Sequence, residues 1–77
     1  MKLNYRDEAI LELLVDTDLA LPPTPLYENL RRRDVDISKR TVNRRLQVLA
    51  DRGYVERVIE EKGYYVATEK GRDYVAT

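Results

Sequence analysis

Neither cysteine nor histidine occurs among the 77 residues of the chain. The absence of cysteine excludes disulfide bonds, thiolate metal ligands and cysteine nucleophiles. The absence of histidine removes the imidazole ligand of many zinc sites and the usual general base of a serine hydrolase. A carboxylate pair such as Glu60 and Glu61 would not compensate, because adjacent residues on a strand point to opposite faces. We therefore expect no enzyme, no metal site and no cofactor.

Long apolar runs are absent as well. The longest uncharged stretch, residues 19–27, has nine residues, three of them proline. A membrane-spanning helix needs about 20 predominantly apolar residues. Residues 1–7 are largely polar and are not followed by an apolar stretch of signal-peptide length. We therefore expect a cytoplasmic protein without membrane contact.

The composition is that of a folded domain. Apolar residues make up 43% of the chain and charged residues 36%, a balance that can bury one modest core. The length leaves no room for a second domain, so we expect one domain over residues 1–77. The six tyrosines are scattered along the chain, and we interpret them as core and sheet residues rather than as a stacking surface for single-stranded nucleic acid.

The formal net charge is zero, but the charges are unevenly distributed. Residues 1–30 carry two basic and six acidic side chains, a net charge of −4. Residues 31–57 carry nine basic and four acidic side chains, a net charge of +5. Basic charge is therefore concentrated in the middle third of the chain, where it could meet a phosphate backbone.

Apolar spacing predicts two helices before the middle of the chain. Ile10, Leu13 and Leu14 follow helical periodicity and predict a helix from about residue 5 to residue 16. Residues 19–23 end in two prolines and predict a short extended segment. Thr24 as N-cap and Pro25 at the first helical position predict a second helix that ends near residue 33. Residues 34–37 then form a turn of the length that joins two packed helices.

Ser38 is the predicted N-cap of a third helix, over about residues 38–52. Ile37 and Val42 form a hydrophobic staple around this cap. Leu46 and Leu49 share the core face with Val42, and Gly53 closes the helix. The opposite face is almost wholly polar: it presents Arg40, Asn43, Arg44, Gln47 and Asp51.

Residues beyond this helix favour strands and then a short helix. Residues 54–59 and 64–67 are rich in Tyr, Val and Ile and flank a charged turn, which predicts a β-hairpin. Thr68 then caps a short fourth helix that carries Tyr74 and Val75. The predicted fold class is α+β and mainly α.

Four sequence segments carry a resemblance to a known family: ISKRTVNRRL (37–46), LADRGYV (49–55), GYY (63–65) and TEKGRDY (68–74). With them the chain resembles archaeal winged helix-turn-helix transcription regulators, most closely the haloarchaeal phage phi-H repressor family. The resemblance implies a three-helix core, a two-stranded β-hairpin wing over residues 54–67 and a short C-terminal helix. It also implies a repressor that binds double-stranded DNA sequence-specifically, with helix 3 in the major groove.

Within that framework the polar face of helix 3 supplies the candidate base contacts. Arg40 and Arg44 suit guanine, and Asn43 and Gln47 suit adenine. Candidate phosphate contacts are Ser38, Lys39 and Thr41 at the helix N-terminus, Arg31, Arg32 and Arg33 at the end of helix 2, and Lys62 at the hairpin tip. Simpler roles stay open: capping for Ser38, a favourable charge at a helix C-terminus for the three arginines, and a core-covering wing.

Two further expectations concern partners. A lone domain buries only about 600–1,000 Å² on DNA, so we expect a homodimer on a two-fold site. Winged helices also serve as protein-docking modules, and this is the alternative function. An apolar or acidic outer face on helix 3 would favour docking, whereas the face present here is basic and amide-bearing.

Overall fold

A computed structural model describes residues 3–59 and 62–76 of the chain. The elements in chain order are α1 (Tyr5–Thr17), α2 (Pro23–Arg32), α3 (Lys39–Asp51), β1 (Val55–Ile59), β2 (Tyr64–Ala67) and α4 (Glu69–Ala76). This order of four helices and one hairpin confirms the predicted α+β, mainly α class. No helix in the described part of the chain is long and apolar enough to cross a membrane.

Helix α1 lies at the centre of the domain. It begins after Asn4, whose Oδ1 atom accepts a hydrogen bond of 2.8 Å from the backbone N–H of Asp7, and this bond satisfies an amide of the first turn. Ile10, Leu13 and Leu14 are buried, as their spacing predicts. The helix contacts α2, α3, α4 and β2. Helix α1 is therefore the central element against which these four elements pack.

Helix α2 begins earlier than predicted. Thr24 is not its N-cap: the helix starts at Pro23, with Pro22 as an extended N-cap that offers no side-chain hydrogen bond. Proline suits the first turn of a helix because its φ angle is already helical and its missing N–H has no partner there. The helix therefore begins at Pro23, two residues before Pro25, which was the predicted first residue. Leu26 and Leu30 face the core, as expected.

The turn between α2 and α3 is fixed by a left-handed residue. Asp34 has φ 62°, a conformation that aspartate tolerates better than most residues. Its N–H donates to the carbonyl of Arg31, and the N–H of Val35 donates to that of Leu30, both at 3.0 Å. These two bonds form a Schellman motif that satisfies the last carbonyls of α2. The predicted turn at residues 34–37 is confirmed.

Helix α3 has the predicted cap and the predicted core face. The Ser38 hydroxyl accepts a hydrogen bond of 3.1 Å from the N–H of Thr41. Val42, Leu46 and Leu49 are fully buried. Gly53, with φ 83°, follows the helix, where its left-handed backbone allows a second Schellman motif. The cap at each end therefore sets where α3 enters and leaves the core.

The hairpin packs against α3 through β1, and a third, minimal strand extends its sheet. Strands β1 and β2 pair antiparallel, with an irregularity between Arg57 and Ile59. Leu21 forms a bridge to the far side of β2, where its N–H and C=O each form a 2.9 Å hydrogen bond with Tyr65. The extended segment predicted before α2 thus joins the sheet. Thr68 caps α4, since its hydroxyl accepts from the N–H of Gly71.

Candidate nucleic-acid interface

The outward face of α3 is the strongest candidate surface. Arg40, Asn43, Arg44 and Gln47 are all exposed, because Val42, Leu46 and Leu49 turn the opposite side of the helix into the core. Within residues 3–59 and 62–76, neither Arg40 nor Arg44 forms an ion pair. The face therefore offers two arginine forks and two side-chain amides to a ligand.

The N-terminus of α3 is partly occupied by its own cap. Besides accepting from the Thr41 N–H, the Ser38 hydroxyl donates to the Thr41 hydroxyl at 2.9 Å. The Asn43 amide nitrogen donates to the carbonyl of Lys39 at 3.2 Å, so its oxygen is the more available atom. Lys39 is exposed. Of the three phosphate candidates at this end, the hydroxyls of Ser38 and Thr41 already bond to each other. The Lys39 ammonium group forms no ion pair in the described part of the chain.

The three consecutive arginines near the end of α2 do not form one cluster. Arg33 forms an ion pair of 3.1 Å with Asp16 of α1. Arg31 donates a 3.3 Å hydrogen bond to the hydroxyl of Tyr27, and its guanidinium lies 5.8 Å from the centre of that ring. Arg32 is exposed. Successive residues of a helix point about 100° apart, so the three side chains diverge, and one of them is already neutralised.

The hairpin contributes Arg57, which is not among the candidate contacts expected from the sequence. Arg57 of β1 is exposed and opposes Tyr65 of β2, and directly opposed residues share a face of the sheet. A shallow cleft between the hairpin and α3 is lined by Gln47, Ala50, Asp51, Arg57 and Tyr65. Arg57 thus lies next to the candidate base-contacting face. Arg57 lies two residues after the buried Val55, and residues two apart on a strand share a face, which is the sequence signal that could have indicated this.

Lys62, the predicted wing contact, is exposed in the hairpin turn. Its backbone N–H donates to the carbonyl of Ile59 at 3.0 Å. The Arg57 guanidinium lies beside the same turn, since its Nη2 atom is 3.6 Å from the position that a Cβ atom at Gly63 would occupy. Glu60 and Glu61, the acidic residues beside Lys62, lie outside the described residues.

Arg45 is bound to a buried carboxylate and does not belong to the exposed basic face of α3. Its Nε and Nη2 atoms donate to the two carboxylate oxygens of Asp7, each at 2.7 Å. Asp7 is only 1% exposed. The hydrogen bond with Asp7 is the main cause that raises the pKa of the Arg45 guanidinium, while partial burial opposes it. Sequence periodicity could not identify this pair, because its members lie 38 positions apart.

Three acidic residues of the N-terminal helix region form ion pairs with arginines. Asp7, Asp16 and Asp18 belong to α1 or its C-cap, and they pair with Arg45, Arg33 and Arg72 respectively. None of these three arginines belongs to the outward face of α3. The neutral net charge is therefore compatible with a basic α3 face, because these three acidic residues are paired with arginines outside that face.

No group of acidic residues in the described part of the chain is arranged to hold a metal ion. The cleft beside α3 contains a single described carboxylate, that of Asp51. The chemistry that this surface offers is hydrogen bonding and charge pairing with an extended polyanion.

The comparisons with known proteins agree with this fold. Residues 8–75 match the family model of the ribonuclease R winged-helix domain. No curated protein and no solved structure matches the chain. The model describes a winged helix, which confirms the predicted architecture of a helical core with a hairpin wing, and winged helices commonly bind nucleic acid. Because the match covers nearly all of the chain, the chain belongs to the ribonuclease R winged-helix domain family.

Proposed function

We propose that residues 1–77 form one domain that binds double-stranded DNA sequence-specifically and acts as a transcriptional regulator, with α3 in the major groove and the hairpin as wing. One observation carries the proposal: the exposed face of α3 combines two arginines without ion pairs in the described residues with two amide side chains. Arginine forks pair with guanine, and side-chain amides pair with adenine.

The spacing on α3 fits stacked bases. At 1.5 Å per residue, Arg40 and Arg44 lie about 6 Å apart along the helix, which is about two base-pair steps of 3.4 Å. Asn43 and Gln47 have the same separation. The four side chains would therefore address neighbouring base pairs rather than a single one. The helix has 13 residues and is about 20 Å long, and the major groove admits a helix of this kind.

Phosphate contacts would flank this helix on both sides. Ser38, Lys39 and Thr41 lie at its N-terminus, where free N–H groups favour an anion. Arg31, Arg32 and Arg33 lie at the end of α2, and Arg57 and Lys62 lie on the hairpin. Contacts of this class fix position and add affinity without selecting a sequence. Arg33 would have to exchange Asp16 for a phosphate.

The family name raises RNA as the competing ligand, since a ribonuclease acts on RNA. The geometry favours DNA. The major groove of A-form RNA is deep and narrow, so side chains on a helix cannot reach its base edges. The candidate contacts here project from a continuous helix. Comparing the affinity of the domain for a DNA duplex with its affinity for an RNA duplex therefore tests this choice directly.

A repressor role, an archaeal source and a cytoplasmic location follow from the resemblance and the sequence, and they stay predictions. A homodimer is likewise a proposal. Half-sites on a two-fold operator lie about 34 Å apart, and the domain measures 29 × 25 × 20 Å. Two copies could therefore occupy successive major grooves side by side. Sedimentation of the protein with and without a two-site duplex would distinguish one bound copy from two.

The decisive experiment starts with selection of a duplex from a random library by the wild-type protein. Fluorescence anisotropy then compares this duplex with a scrambled DNA and an RNA duplex, between about 50 and 300 mM salt. We expect tighter binding to the selected DNA, with a log–log salt slope of about −3 to −6. Arg40→Ala/Arg44→Ala should remove the selectivity, whereas Arg72→Ala should not. Equal binding of all duplexes would refute sequence recognition.

A docking module is the second candidate function, and one observation favours it. Val58 and Ile59 of β1 are 45% and 38% exposed, so two adjacent large apolar side chains of the hairpin are in contact with solvent. A protein partner could cover them. If no duplex binds and Val58→Lys prevents capture of a protein partner that wild type retains, docking replaces DNA binding as the function.

A further inference from the structure

The ion pair between Asp7 and Arg45 joins the first turn of α1 to the middle of α3. Both of its hydrogen bonds measure 2.7 Å and run in parallel from the guanidinium to the two carboxylate oxygens. A bidentate pair of this kind fixes the relative orientation of the two groups as well as their distance. Among the described residues, Asp7 is the one buried charged side chain.

A second bond lies next to the first. Arg6, the neighbour of Asp7, donates from Nε to the carbonyl of Asp36 at 2.9 Å. Asp36 belongs to the turn that leads into α3. Two consecutive residues of α1 therefore hold α3 at two points, one before its start and one at its middle. Two fixed points define the direction of a helix, whereas the apolar contacts of Val42 and Leu46 are not directional.

Arg45 follows Arg44 directly and lies two residues after Asn43. A rotation of α3 that breaks the pair with Asp7 would move these candidate base contacts together. A binding site must hold its groups within about 0.5 Å and 10–20° of the productive geometry. We infer that Asp7 and Arg45 are positioning residues, which set the angle at which α3 presents its base contacts and thereby the sequence selectivity of the domain. This inference rests on the proposed function.

A role in stability alone makes a different prediction. A buried ion pair often contributes little net stability compared with apolar residues of similar size. If the pair only stabilised the fold, a variant that is still folded would keep its selectivity. If the pair orients α3, a folded variant without the bidentate geometry would lose its sequence selectivity.

Arg45→Lys separates the two roles. Lysine keeps the positive charge but cannot form the two parallel bonds. The experiment measures, for the full chain, the ratio of dissociation constants for a scrambled and a wild-type-selected DNA duplex. We expect this ratio to fall about tenfold or more, with an unchanged salt slope, because no contact to phosphate is removed. Arg72→Lys is the matched control, since it alters an exposed ion pair with Asp18 that involves no residue of α3.

Asp7→Leu/Arg45→Met covers the case in which Arg45→Lys does not fold, because it leaves no buried charge unpaired. We expect it to fold and to lose the same selectivity. An unchanged ratio in either folded variant overturns the inference. If wild type binds no duplex, the proposed function fails instead. NMR residual dipolar couplings, which measure the angle between α1 and α3 without a ligand, then decide: an unchanged angle in both variants overturns the positioning role.

Discussion

Gly71 lies where α4 crosses the end of α3 and the start of the hairpin. A Cβ atom at this position would lie 2.3 Å from the carbonyl oxygen of Tyr54 and 2.9 Å from a methyl carbon of Leu11. The Tyr54 oxygen belongs to the backbone, so it cannot move away by a change of side-chain rotamer. The glycine of the TEKGRDY segment is therefore required by close packing of α4 and not by a turn.

Gly71→Ala should destabilise the domain by about 1–2 kcal/mol. Overpacking costs about 1–3 kcal/mol, and the better helix propensity of alanine returns at most about 1 kcal/mol. The free energy of unfolding in urea measures this loss. Gly53→Ala is the comparison, because at Gly53 the nearest atom is 3.8 Å away and the penalty is the φ of 83° alone. A Gly71→Ala variant as stable as wild type would show that α4 does not pack this closely.

Neighbouring arginines on α3 have opposite surroundings. Arg44 is exposed, whereas Arg45 is bound to a buried carboxylate and its side chain is only 25% exposed. The difference comes from the 100° between successive helical residues. A count of basic residues along the sequence therefore overstates the charge that a ligand would meet.

At the scale of the element, α3 depends on its N-cap. We expect Ser38→Ala to lower the free energy of unfolding by about 1 kcal/mol, because the N–H of Thr41 loses its acceptor. Urea unfolding followed by circular dichroism measures the change. Unaltered stability would mean that water replaces the hydroxyl without cost.

Ser38→Asp distinguishes capping from a phosphate contact. Aspartate is as good an N-cap as serine, so stability should be kept. Its negative charge would repel a phosphate at the helix N-terminus, so affinity for every DNA duplex should fall several-fold. Stability and affinity that are both unchanged would restrict Ser38 to capping.

At the scale of the whole molecule, Tyr74 links the C-terminal helix to residues near the start of the chain. Its hydroxyl donates to the Glu8 carboxylate at 2.6 Å and accepts from the N–H of Leu3 at 2.9 Å. Its ring lies edge-on to that of Tyr54, with 5.6 Å between the ring centres. One side chain of α4 thus ties the C-terminal helix to both the start of α1 and the end of α3.

The hydrogen bond to Glu8 is the main cause that raises the pKa of Tyr74 above its ordinary value. Because the folded state has the higher pKa, its stabilisation is complete below the ordinary tyrosine pKa of about 10 and is lost as pH rises through the raised value. We expect Tyr74→Phe to be less stable than wild type near neutral pH and the difference to shrink at alkaline pH. Urea unfolding across this pH range measures it.

Glu8→Gln provides the control, since glutamine can still accept the hydrogen bond but removes the charge. Its loss of stability near neutral pH should be smaller than that of Tyr74→Phe. A stability difference between wild type and Tyr74→Phe that stays constant with pH would contradict the proposed role of the phenol.

Much of this domain is determined by the sequence itself. The 3.6-residue spacing of Leu and Val fixes which faces of α1 and α3 are buried, and Ser38 and Gly53 mark the ends of α3 by local hydrogen bonding. The exposed face of α3 follows from the same periodicity. These features are local, so neighbouring residues are enough to predict them. The start of α2 was mispredicted because proline and threonine are both good starting residues.

The tertiary structure decided which charges remain available. The pairs of Asp7 with Arg45 and of Asp16 with Arg33 join different helices, and no periodicity along the chain relates their members. The place of Arg57 beside Gln47 depends on how the hairpin folds against α3. The need for Gly71 depends on the path of the Tyr54 backbone. Each is a contact between distant segments, so it exists only once the helices have packed and their side-chain directions are fixed in space.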